Sequence, residues 1–130
     1  MQLKIIILFC SAFLINGCDN PVNQNTPNLQ LSFKNVTPYQ LNNLTVDEKF
    51  IGNLSGWQSS NYIDFDKFCF DSGLPDEDAS AVVNGILHTN YYRGYWCGTE
   101  KLTVDSGKFI IEIDVSDTTL YLSCNNPPVK

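Results

Sequence analysis

The chain is short of the groups that most enzymes and nucleic-acid-binding proteins depend on. Among 130 residues it has one histidine, one methionine, and 8 Lys+Arg against 14 Asp+Glu, a net charge of −6. So few cations exclude the clustered Lys and Arg that neutralise phosphates, and nucleic acid with them. They equally exclude docking on anionic lipid by charge alone. His88 is tied by no motif to a Ser or Cys, and the five cysteines offer no closely spaced ligand pair for zinc. Gly56, Gly98 and Gly107 occur singly, so no phosphate-cradling loop is present. No apolar run reaches the roughly 20 residues that cross a bilayer, and no segment carries a convincing helical period. What remains is 43% hydrophobic and 12% aromatic residues, enough for one folded domain and too little for two.

The first 17 residues read as an address. Lys4 supplies a positive start, and Ile5 to Ile15 is apolar apart from Ser11. The run ends at Leu14-Ile15-Asn16-Gly17-Cys18, which resembles the lipobox of bacterial lipoproteins: aliphatic Ile15 three before the cysteine, small Gly17 directly before it. That resemblance implies cleavage before Cys18 and acylation of Cys18. Two or three acyl chains anchor a protein stably, since each buried CH₂ contributes about 0.8 kcal/mol. Residues 18–28 then form a polar tether with Pro21 and Pro27, long enough to hold a domain roughly 30 Å from the membrane. Asp19 resembles an inner-membrane retention signal of some Gram-negative bacteria, which leaves the choice of membrane and leaflet open.

From Leu29 the period is two. Leu29, Leu31 and Phe33 alternate with polar residues, as do Phe109, Ile111, Ile113 and Val115, then Leu120, Leu122 and Cys124, and more briefly Ile63 and Phe65. Each predicts a half-buried strand. Leu44 to Ile51 predicts another, interrupted by Asp47-Glu48-Lys49. Asn84-Gly85 between Val82-Val83 and Ile86-Leu87 predicts a type I′ hairpin with Val83 opposite Ile86 and Ala81 opposite His88. About seven strands suit an all-β domain over residues 29–126, a two-sheet antiparallel sandwich, with a closed barrel as the architectural runner-up. Asn61-Tyr62, Val83-Asn84-Gly85, Gly98-Thr99-Glu100-Lys101-Leu102 and Gly107-Lys108-Phe109, in this order, resemble small β-sandwich lipoproteins of Gram-negative bacteria with immunoglobulin- or transthyretin-like folds. The resemblance implies a fold and an envelope location, and carries no catalytic residues.

Cys10 leaves with the signal and Cys18 is taken by lipid, so three cysteines remain. Loop entropy does not choose a pair: closing about 29 residues is worth roughly 3.6 kcal/mol and about 56 roughly 4.2. Strand direction favours Cys69–Cys97, because both follow strands that finish at one pole, opposite the Asn84-Gly85 turn. Cys124 is then a free thiol in phase with Leu120 and Leu122. Three reduced thiols are the alternative.

Two stretches suggest sites. Asp71, Asp76 and Asp78 on a Gly-containing loop offer oxygens to calcium, without the spacing of an EF-hand, and compete with a plain solvated acidic loop. Tyr92, Arg93, Tyr95 and Trp96 lie in an aromatic run with Tyr91, which a strand buries on only one face. Together with Trp57 they form a predicted binding surface for a sugar or a peptide. Asn35, Asn43 and Asn53 match the glycosylation pattern, which here reflects an Asn-rich composition. The expectation is a lipid-anchored, non-enzymatic binding module of the bacterial envelope that needs no cofactor and contacts a glycan, peptide or protein through the pole formed by Phe68–Asp78 and Tyr92–Leu102. A structural subunit of an envelope complex is the alternative, and a small hydrolase using Asp64 and Asp66 comes third. Removing Lys4 with the signal moves the charge from −6 to −7.

Overall fold

A computed structural model describes residues 28–90 and 100–129. They are all-β, with no helix among them. The order is β1 (Leu29–Asn35), β2 (Leu41–Val46), β3 (Lys49–Leu54), β4 (Ile63–Phe65), β5 (Phe68–Asp71), β6 (Leu74–Pro75), β7 (Ala79–Val83), β8 (Ile86–Asn90), β9 (Lys101–Val104), β10 (Gly107–Ser116) and β11 (Thr119–Cys124). Eight strands form one sheet in the order β3-β2-β7-β8-β11-β10-β1-β4, and β6-β5-β9 form a second.

This corrects the expectation of about seven strands in a purely antiparallel sandwich. The large sheet is mixed: β1 pairs parallel with β10 from Leu29↔Gly107 to Asn35↔Ile113, and β8 pairs parallel with β11. The cause is the place of β1. It lies between β10 and β4, and buries Ser32 as well as Leu29, Leu31 and Phe33. The sheet also curls. Lys49 on edge strand β3 donates to the carbonyl of Asp64 on edge strand β4 and sits 4.7 Å from the Phe65 ring centroid. The two edges therefore approach each other without pairing, part-way to the barrel that was the runner-up.

Alternation explains which residues enter the core. Leu29, Leu31, Phe33, Ile111, Ile113, Leu120 and Leu122 all point inward, as their period of two requires. The small sheet adds Phe68 and Phe70. A chain of tilted and edge-on rings, Phe33–Phe65–Phe68–Phe70–Phe109, joins the two sheets with centroids 5.3 to 6.0 Å apart. Each such pair adds about 0.5–1.5 kcal/mol beyond burial.

The β7–β8 hairpin forms in the expected register, with Val83↔Ile86 and Ala81↔His88, and both Asn84 and Gly85 have positive φ. The Leu44–Ile51 strand is instead a second tight hairpin. Asp47 and Glu48 turn with φ of 49° and 60°, so β2 ends at Val46 and β3 begins at Lys49. Strand directions then define two poles. At the near pole β1 begins, β8 and β11 end, and the small sheet sits. At the far pole lie the β1–β2 loop, the segment after β3, the Asn84-Gly85 turn and the Asp117-Thr118 turn.

Candidate functional site

The far pole is built around a buried amide. Asn35, fully buried at the end of β1, donates to the carbonyls of Tyr39 (2.6 Å), Leu54 (3.1 Å) and Ser55 (3.2 Å). Its oxygen accepts from the backbone N–H (3.0 Å) and hydroxyl (2.7 Å) of Thr37. One side chain thus ties the β1–β2 loop to the end of β3. The segment after β3 presses closely on that loop: a Cβ on Gly56 would lie 2.7 Å from the Pro38 carbonyl oxygen. Trp57 follows, and its N–H donates to the carbonyl of Thr37 at 3.1 Å.

This packing holds Trp57 in an unusual state. Its φ is 62°, a left-handed conformation that bulky residues rarely adopt, and the residue is 62% exposed. Tyr39, held by the same loop, is 45% exposed. Beside Tyr39 opens a cleft of about 240 Å³. Its apolar surface comes from Val83, Ile86 and Val115, and its polar rim from Tyr39, Asn84, Asp117 and Thr118. No Lys or Arg lines it.

His88 forms one wall of this cleft but offers it no free nitrogen. Nδ1 lies 2.8 Å from the Ile86 carbonyl oxygen and Nε2 lies 2.7 Å from that of Asp117. Both ring nitrogens are thus turned to backbone carbonyls and away from the cleft. The buried ring is therefore a brace between β8 and the β10–β11 turn.

The near pole carries the ionisable groups. Cys69 and Cys124 are free thiols. Cys69 Sγ is 3.4 Å from Thr103 Oγ1, a contact that lowers the thiol's pKa. Burial and the neighbouring Glu77 and Asp76 together outweigh that contact and lift it above the ordinary value. Burial likewise raises Cys124, with Glu112 adding to the shift. Burial also lifts the Glu77 carboxyl, partly offset by hydrogen bonds from Cys69 and reinforced by Asp47. Cys97, the partner expected for Cys69, lies outside the described residues.

The remaining predicted residues are scattered. Asp71 is buried in β5, Asp76 pairs with Lys101 at 3.6 Å, and the Asp78 carbonyl accepts from the Asp47 N–H. The structure does not bring the three carboxylates together. Among the described residues no group of three His, Cys, Asp or Glu is placed to hold a metal. Cys18, Tyr92, Arg93, Tyr95 and Trp96 lie outside the described residues. Asn90 and Glu100, which flank that aromatic run, are both at the near pole, whereas Trp57 is at the far one. A larger hollow of about 530 Å³ lies at the near pole, between the β5–β6 turn and Pro127–Val129.

Comparison with family models, with curated proteins and with solved structures finds no significant match to this chain.

Tyr39, Asn84, Asp117 and Thr118 were not singled out from the sequence as site residues. The usable signal was Asn35-Val36-Thr37-Pro38, a local Asn-to-Thr turn pattern that also matches the glycosylation motif. Asn35 is wholly enclosed, so the match marks a turn and not an acceptor.

Proposed function

We propose that the protein is a lipid-anchored, non-enzymatic binding module of the bacterial envelope, and that it binds through the far pole. The observation that carries this is Trp57, kept exposed in a strained left-handed backbone by the Asn35–Thr37–Gly56 packing. Strain of this kind costs on the order of 1–3 kcal/mol and persists where the surroundings over-determine it, often at ligand sites. The chain enters β1 at the near pole. A tether acylated at Cys18 therefore leaves Tyr39 and Trp57 on the side away from the point of attachment.

The chemistry-bearing side chains support binding over catalysis. His88 spends both nitrogens on backbone carbonyls, and the thiols of Cys69 and Cys124 are held toward their protonated, unreactive form. The test uses the tagged, acylated chain recovered from its own envelope. Intact mass should show acyl chains on the mature protein, and Cys18→Ala should move it out of the membrane fraction. A Tyr39→Ala/Trp57→Ala variant, still folded and anchored, should lose whatever the wild type recovers. Undiminished recovery by that variant would refute the far-pole assignment.

A further inference from the structure

We infer that the far-pole cleft is a subsite for one unit of an uncharged sugar chain, with Tyr39 as its stacking face. This rests on the far-pole reading and narrows it to one class of ligand. Three observations select that class. The first is charge: no Lys or Arg lines the cleft, both nitrogens of His88 are turned to backbone carbonyls, Asp117 stands on its rim, and the chain carries −6 overall, so phosphate, sulfate and carboxylate ligands are disfavoured. The second is composition. An exposed aromatic ring beside an amide, a carboxylate and a hydroxyl matches a pyranose, which has an apolar C–H face and a rim of hydroxyls. Hydroxyls donate to Asp117, and the Asn84 amide and Thr118 hydroxyl both donate and accept. The third is size. At about 240 Å³ the cleft is smaller than the 300–1,000 Å³ usual for drug-sized ligands, and suits a single ring.

The peptide alternative has less to work with here. Strand addition needs an open sheet edge. The strands that line the cleft, β7, β8 and β10, lie inside the large sheet with both edges paired. Trp57 does not line the cleft, but Gly56 packs its backbone against Pro38, one residue from Tyr39. It provides a second exposed ring at the same pole for the neighbouring unit of a chain. The sugar is bound intact; no bond is broken.

The probe is an array of immobilised tetrasaccharides built from neutral hexoses and N-acetylhexosamines, with uronate-containing and sialylated chains alongside. The acylated full chain, held in detergent micelles, is applied to it. It should bind at least one neutral tetrasaccharide and ignore the anionic ones. Tyr39→Ala and Asp117→Ala should each weaken that binding at least tenfold, Trp57→Ala about threefold, and Glu48→Ala at the near pole not at all. Thermal melting of each variant separates lost binding from lost folding. Binding of anionic chains in preference to neutral ones would overturn the inference. So would binding that Glu48→Ala weakens and Tyr39→Ala does not. If no sugar binds while a partner is still recovered through Tyr39 and Trp57, the sugar inference falls and the far-pole reading stands.

Discussion

The two ends of this molecule are held by different chemistry. At the far pole a neutral amide, Asn35, and a glycine without room for a side chain, Gly56, fix two loops against each other. No buried side-chain polar atom is left without a partner among the described residues. At the near pole the Cys69 thiol of the small sheet and the Glu77 carboxyl beside it have their ionisation perturbed by burial and by one another. The difference teaches where rigidity is invested. The loops that carry Tyr39 and Trp57 are tied by the hydrogen bonds of an amide, which does not titrate. The end where β1 begins holds ionisable groups and the Lys101–Asp76 ion pair.

The contrast can be broken most severely at Asn35. Asn35→Ala removes the partner of the Leu54 carbonyl and of the Thr37 N–H in a closed space, while the Ser55 carbonyl keeps the Gln58 N–H. Buried polar groups without partners cost about 1–3 kcal/mol each, so a loss of about 3–5 kcal/mol is expected in urea denaturation. A loss below about 1 kcal/mol would mean that water replaces the amide and the pole is not a sealed keystone. Gly56→Ala comes next. The added methyl meets backbone, not a flexible side chain, so the loops must part, at a cost of about 2 kcal/mol and with a changed environment at Trp57. A variant with unaltered stability and tryptophan emission would contradict the close packing.

Smaller effects belong to the near pole and carry a pH signature. Folding raises the proton affinity of Glu77. Its stabilising contribution is therefore fully present below the ordinary carboxylate value of 4.5 and is lost as pH rises through the raised folded value. Glu77→Gln keeps an acceptor for the Cys69 N–H and removes the titration. Its stability relative to wild type should rise between pH 4.5 and 7, by about 1 kcal/mol or less given the partial exposure. A constant difference between the two across that range would show that Glu77 titrates normally. Lys101→Met, which breaks the exposed pair with Asp76, should change stability by less than about 0.5 kcal/mol, and by less still in high salt.

How far the sequence could be read follows from which interactions are local. The period of two in Leu29–Phe33, Phe109–Val115 and Leu120–Leu122 is a backbone property, and the burial of those residues followed from it. Asn84-Gly85 set a turn through φ alone, and the register of β7 and β8 came with it. Asp47-Glu48 makes a similar turn with residues that give no such signal, so one predicted strand was two. The parallel pairing of β1 with β10 joins residues some 78 positions apart and leaves no local trace. For the site, Trp57 was visible as an aromatic in a Gly turn. Its pole was not, because that depends on strand direction around the whole sheet. Asn35 announced a turn, but its burial is a fact of packing alone.

The central claim is that the far pole meets the ligand while the near pole faces the anchor. A photo-crosslinking amino acid placed at Tyr39 and, separately, at Glu48 of the acylated chain in its native envelope tests this directly. Illumination should give a discrete adduct from position 39 and none beyond background from position 48. The reverse pattern, or equal adducts from both, would contradict the account.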